Sequence, residues 1–325
     1  TAASARRLEA YVDAGAGQML MDAPPARGSV AKTTDRGNGI IEWTLSNGAT
    51  VVLKPTTFKQ DEILFRAVSP GGTSLASDAD FVAAETASAV VAQGGLGDLS
   101  RLDLEKVLAG TTAFVRADIG ETEEGIGGGT SGKDIEAMFQ LVYLRFTAPR
   151  ADPVAFRVLT DQLKVTLANR LAMPDAVFDE VLDAAVSQDH PRAQPLTPER
   201  LTRMDLDKSL AFYKDRFADA SDFTFVFVGN FELATMKPLV ERYLASLPAT
   251  RRVEAAVDRG IQGLVISNYP YLVPPSMTVT AAAAAPESQY FMLIGTAVLL
   301  PVVLGYTVFV YYTFRGKVRV GEGYH

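Results

Sequence analysis

The stretch LAFYKDRFADASDFTFVFVGNFELATMKPLVERYLASLPATRR, Leu210–Arg252, is a helix, a strand and a helix in immediate succession. Leu206, Leu210, Tyr213 and Phe217 recur at helical spacing and make one apolar stripe. Phe223–Val228 is short and almost wholly apolar, the pattern of a strand buried on both faces. Met236, Leu239, Val240, Tyr243 and Leu247 return to helical spacing. A buried strand between two amphipathic helices implies a sheet with helices packed on it, and the rest of the chain fits that frame.

Upstream, Ile40–Leu45 and Ala49–Leu53 flank Ser46-Asn47-Gly48. Asn and Gly accept positive φ at low cost, so the pair reads as a hairpin. Ile63–Val68 is a further strand, closed by Pro70-Gly71-Gly72, and Phe81–Val91 is an Ala-rich helix stopped by Gly94-Gly95. Ser100 caps a short helix over Arg101–Leu108, and Thr112–Asp118 and Gly120–Gly127 are weaker strands. Ile135, Met138, Phe139, Val142 and Phe146 share a helical face, and so do Phe156, Leu159, Leu163 and Leu167. Asp152-Pro153 and Pro174-Asp175 open helices. The fold class is α+β, a mixed sheet covered by helices.

The end of the chain is different. Phe291–Phe314 is 24 residues without a charge, followed at once by Arg315, Lys317 and Arg319. As a helix it spans roughly 36 Å, enough to cross a hydrocarbon core of about 30 Å. This predicts a single transmembrane helix over 291–314, with a basic tail at 315–325 on the cytoplasmic side and everything before it outside the cytoplasm. The lipid bilayer is thus an expected partner. Residues 263–325 carry a net charge of +1 and the first 262 carry −8. An acidic body argues against a nucleic-acid partner. The sequence contains no cysteine, which excludes disulfides and thiolate metal sites. Thr1–Gly15 lacks the apolar core of a signal peptide.

Local motifs give no active site. Gly127–Lys133 matches the phosphate loop up to its last position, where Asp134 lacks the hydroxyl that would hold Mg²⁺. The competing reading makes Ser131 and Asp134 a capping box. His190 and His325 lie far apart, His190 in a turn-like stretch read as solvated, so no standard zinc set forms on them. Glu121, Glu123 and Glu124 read as a wet strand face, and Asp205, Asp207 and Asp215 as the solvated side of a helix.

Three stretches taken together resemble the insulinase/pitrilysin family of zinc metallopeptidases. They are WTLSNGATVVLKPTTFKQDEILFRAVSPGGTSL (Trp43–Leu75), FQLVYLRFTAPRADPVAF (Phe139–Phe156) and the opening stretch itself. The resemblance implies a clamshell of two homologous halves, each with two α+β subdomains, enclosing a peptide. It also implies the motif H-x-x-E-H on the helix after the third strand, where two His bind zinc and the Glu activates water. The corresponding positions here are Val82, Glu85 and Thr86. Both imidazoles are replaced, so no catalytic or metal-ligating residue is expected, and residues 31–260 resemble the first subdomain of the silent half. Zinc would then sit in a separate half, which becomes an expected partner alongside peptides; no cofactor is expected in this chain.

SNYPYLVPPSMTVTAAAAAPESQ (Ser267–Gln289), the apolar segment and YYTFRGKVRVGEGYH (Tyr311–His325) resemble the C-terminal end of subunit II of cytochrome bd-type ubiquinol oxidases. This makes 263–290 an extracytoplasmic loop and subunit I a possible partner; the family's haem belongs to that other subunit. Residues 1–30 are linker-like. The expected function is a non-catalytic peptidase domain, binding peptide or a partner half, attached to a membrane helix in a fused or chimeric reading frame with its seam near Asp258–Gly263. The alternative is a piece of a respiratory membrane subunit. The expected location is the bacterial inner membrane, with the body periplasmic.

Overall fold

A computed structural model describes residues 19–187 and 189–260, with short pieces at 271–273, 277–278, 300–301, 304–306 and 312. The chain divides into two units, Thr1–Gln262 and Gly263–His325. In the second, Tyr271–Val273 and Met277–Thr278 pair antiparallel. The expected membrane helix over 291–314 lies, apart from a few positions, outside the described residues. Among the described residues no helix is long and apolar enough to cross a membrane.

The first unit is a seven-stranded mixed sheet with helices on one face. Its strands are β1 (Val30–Gly37), β2 (Ile40–Leu45), β3 (Thr50–Pro55), β4 (Ile63–Pro70), β5 (Phe114–Ile119), β6 (Glu123–Thr130) and β7 (Thr224–Gly229). In space they run β1-β2-β3-β7-β4-β6-β5. All neighbours are antiparallel except β3 and β7. The strand of the opening quotation is therefore the centre of the sheet, and β1 and β5 are its edges.

The helices are α1 (Phe81–Glu85), α2 (Ala87–Gly94), α3 (Arg101–Val107), α4 (Ile135–Thr147), α5 (Pro153–Leu171), α6 (Pro174–Val186), α7 (Pro198–Leu201), α8 (Leu206–Arg216) and α9 (Leu233–Leu239). Several begin as their sequences require. The Ser100 side chain accepts from the Asp103 amide and Asp152 from those of Val154 and Ala155, which satisfies donors that a helix start leaves open.

Phe65, Phe139, Phe227 and Tyr243 stack beneath the sheet, and Phe146 meets Phe217 and Phe223 edge-on. Leu20 and Met21 pack against the same core. A second cluster joins α1, α2, α5 and α7 through Val82, Val90, Leu159, Leu167 and Leu201.

Two sequence expectations need correction, and one strand carries no sequence signal. The central strand β7 is buried on one face only: Phe225 and Phe227 are inaccessible, while Val226 and Val228 are 36% and 40% exposed. Its apolar outer residues share an open sheet face with Leu64 and Phe114. The helix expected over Phe81–Val91 is broken at Thr86, whose hydroxyl donates to the Val82 carbonyl at 2.8 Å; such back-bonding bends helices. The Ala83 carbonyl meanwhile accepts from the buried Ser209 hydroxyl of α8 at 2.9 Å. Finally, β1 is a strand made of Val30 and mostly polar residues, without apolar alternation to reveal it.

Candidate functional site

Val82, Glu85 and Thr86, the positions that the resemblance sets against the zinc motif, sit at the break between α1 and α2. Val82 is 1% exposed and packs into the second core cluster. Thr86 is buried with its hydroxyl committed to Val82. Of the three, Glu85 alone reaches the surface. Burial raises its carboxyl pKa, opposed by Arg200 at 4.0 Å. This trio does not fit a zinc ion: it has no imidazole, two of the three side chains turn inward, and a lone carboxylate beside a guanidinium is a poor ligand set. Among the described residues no group of three or more His, Cys, Asp or Glu is placed to hold a metal.

Glu85 lines a cleft of about 290 Å³ with Phe81, Arg192, Thr73 and the end of β5 at Ile119. Its floor is fixed by Arg192, whose side chain is 2% exposed. Arg192 donates to the Thr73 carbonyl at 2.9 Å, the Ala76 carbonyl at 2.6 Å and Asp78 at 2.8 Å, and its guanidinium lies 4.9 Å from the Phe81 ring centre. His190 serves this anchor: its Nδ1 accepts from the Arg192 amide at 3.2 Å. Arg192 carries no periodic or motif signal in the sequence; its role comes from carbonyls more than a hundred residues away.

The expected wet face is wrong at Glu124, which is 0% exposed. Its Oε2 accepts from the Gly72 amide at 2.7 Å, and Arg216 lies 3.9 Å from Oε1. Burial outweighs these partners and pushes the carboxyl up to about 7. Arg216, itself 3% exposed, is gripped by Asp215 at 2.5 Å and by both Glu254 oxygens at 3.1 Å. Asp205 caps α8 through the Lys208 amide, and Asp215 also pairs with Arg252 at 2.7 Å, so neither is merely solvated. Nearby, burial acts to raise Asp219, but donors from Ser221, Arg252 and Thr250 win and hold it at about 2. Val257 and Arg259 bond to Ser74 at 2.9 and 2.6 Å. The segment after α9 is thereby tied across the turn that floors the cleft.

The glycine-rich stretch is not a phosphate loop. Gly127–Gly129 lie within β6, paired to β4 on one side and β5 on the other. The capping box is absent as well: the Ser131 side chain makes no capping bond. Asp134 instead accepts from the Thr112 amide and hydroxyl, both at 2.8 Å, tying the start of β5 to the start of α4.

The probable zinc protease PqqL of Haemophilus influenzae is 27% identical over 229 residues, 69% of this chain and 24% of its own length. The body of this chain is similar to PqqL-type zinc proteases. The crystal structure of the periplasmic protease PqqL from Escherichia coli shares the fold, with a TM-score of 0.67 at 22% identity over 78% of this chain and 28% of that one. So does the peptidase M16 inactive domain from Pseudomonas fluorescens, with a TM-score of 0.53 at 15% identity, covering 67% and 54%. The chain spans about a quarter of the length of the curated PqqL relative.

A separate match, to the cytochrome bd terminal oxidase subunit II family, covers residues 233–314. It starts inside α9. Met236 and Val240 are nevertheless fully buried in the core of the first unit, so the packing boundary falls later than the start of that match.

Proposed function

We propose that residues 31–260 act as a non-catalytic zinc-peptidase-type domain that holds extended peptide, or a zinc-bearing partner half, rather than cleaving peptide itself. One observation carries this reading: β5 is a sheet edge, paired only with β6 among the described strands, and its last residue, Ile119, lines the cleft that holds Glu85. An exposed edge offers a row of unpaired backbone donors and acceptors to an added strand. Val82 and Thr86 supply no ligand for a hydrolytic metal. The test is amide exchange on the full chain with an unstructured peptide. Protection of Phe114–Ile119 without peptide cleavage supports the reading; cleavage by the purified chain, or no protection of β5, rejects it.

The envelope is the compartment this reading implies, since one similar protein is a periplasmic protease and the other family is a membrane oxidase. In this proposal 291–314 crosses the inner membrane, the body is periplasmic, 315–325 is cytoplasmic, and the two parts meet in a fused reading frame near Asp258–Gly263. Because the chain lacks cysteine, a single Gly321→Cys variant reports topology directly. It should react with a membrane-permeant maleimide in intact cells and resist an impermeant one; the opposite pattern rejects the orientation. A second reading, a piece of an oxidase subunit associated with subunit I, is favoured by the match over residues 233–314. It requires haem-bearing polypeptide to co-purify after mild detergent extraction.

A further inference from the structure

A groove of about 440 Å³ runs along the first half of β5, walled by α2, α3 and α4. Ala89, Ala92, Leu104, Leu108 and Leu141 make most of its lining apolar. Two polar groups in its lining, Ser88 on α2 and Arg145 on α4, carry buried atoms without a hydrogen-bond partner among the described residues: the Ser88 hydroxyl and Arg145 Nε. Arg145 reaches the Val115 carbonyl at 3.5 Å, a weak contact. Burial lowers its pKa, opposed by the Tyr213 phenol, and no ion pair to a carboxylate is made by Arg145 among the described residues. Arg101, on the α3 side of the groove, is already matched by Glu105 at 3.0 Å. A guanidinium held in an apolar wall without an anion is unfavourable in the free protein. It is also the group best shaped to receive a carboxylate in two parallel hydrogen bonds.

We infer that this groove receives the C-terminal end of an apolar peptide, its terminal carboxylate meeting Arg145 and Ser88 and its last side chains filling the space beside Leu104, Leu108 and Leu141. The inference rests on the proposed role of β5 and specifies which end of the peptide that edge takes. A peptide lying antiparallel to β5 enters past the cleft at Glu85, beside Ile119, and runs out of strand near Phe114, where the groove lies. Strand pairing supplies sequence-independent affinity, and the groove selects a free, apolar C-terminus. A fatty acid offers the same chemistry, an apolar chain ending in a carboxylate, and must be distinguished from a peptide.

The probe is a short acetylated peptide of alternating Thr and Val ending in Leu, titrated against the detergent-solubilised full chain. It is used as the free acid and as the C-terminal amide, with dodecanoate as a third arm. The acid is expected to bind at least about tenfold more tightly than the amide, since a charge-assisted pair is lost in the latter. Arg145→Met and Arg145→Gln should both abolish that difference. Arg145→Met should also unfold at the same or higher denaturant concentration than wild type, because an apolar side chain replaces an unmatched charge; a residue serving only structure would lose stability instead. Equal binding of acid and amide overturns the carboxylate site and leaves the β5 reading standing. Failure of both peptides to bind overturns both. Dodecanoate binding more tightly than the acid peptide, and displacing it, overturns the peptide as occupant. Acid–amide discrimination that survives in Arg145→Gln overturns the role of Arg145.

Discussion

Val82 and Thr86, the positions that the resemblance sets against the motif histidines, do not form a site awaiting two imidazoles. Val82 lies in an apolar cluster and Thr86 holds the helix break. The double substitution Val82→His and Thr86→His should therefore lower stability by roughly 2–4 kcal/mol, from lost packing and a buried polar ring, without creating tight zinc binding. Urea unfolding and metal analysis after dialysis check both parts; about one retained zinc per chain refutes them.

Glu124 yields a pH prediction. Its folded value of about 7 stands above the ordinary 4.5. Between those values the folded state keeps a proton that the unfolded state has lost, so stability falls as pH rises through that window, by up to about 1.4 kcal/mol per unit. Asp219, held at about 2 against an ordinary 3.8, works in a lower window: the stability it contributes is present above 3.8 and is lost as pH falls toward 2. Glu124→Gln should flatten the upper slope in unfolding measurements taken across pH and leave the lower one in place. An unchanged upper slope in the variant shows that Glu124 does not titrate there.

Among the elements, β5 depends on the glycines of β6. A Cβ on Gly128 would stand 2.0 Å from the Phe114 carbonyl oxygen and 3.0 Å from the Phe65 ring. Gly128→Ala should push β5 off its neighbour at a cost of at least about 1–3 kcal/mol, and amide exchange should accelerate selectively over Phe114–Ile119. Unaltered exchange there would mean that β6 can shift to make room. Most elements were legible: α4, α5 and α8 through helical spacing, α3 and α5 through their caps, the β2–β3 connection through Asn47-Gly48. Edge strand β1 was not, because outward and inward residues are almost equally polar and no period-2 signal arises. The break at Thr86 was not legible either, since part of its cause is a hydroxyl on α8, at Ser209. Nor was the open face of β7: a run of apolar residues looks alike whether one or both sides of its sheet are covered.

Across the whole molecule, the residues after α9 belong to the body. Arg252, Glu254, Val257 and Arg259 bond to α8 and to the turn after β4. A chain ending at Gln262, the limit of the first unit, should unfold in one cooperative transition. One ending at Pro248 leaves Arg216 and Glu124 buried without Glu254 and should melt at a clearly lower temperature. Equal melting of the two would show that the strap contributes nothing.

By itself the sequence determined the kinds of element, their caps and turns, the apolar terminal segment, and that its two histidines, His190 and His325, form no H-x-x-E-H. Each is written in side chains a few residues apart, where periodicity and local hydrogen bonding decide the outcome. The tertiary structure decided that Glu124 is buried against Arg216, that Arg192 floors the cleft, and that, among the described residues, β5 is an edge and Arg145 stands in an apolar wall without an anion. Those facts depend on which distant groups meet and which fail to. Burial and charge pairing are set by neighbours in space, and neighbours in space are set only when the helices pack on the assembled sheet.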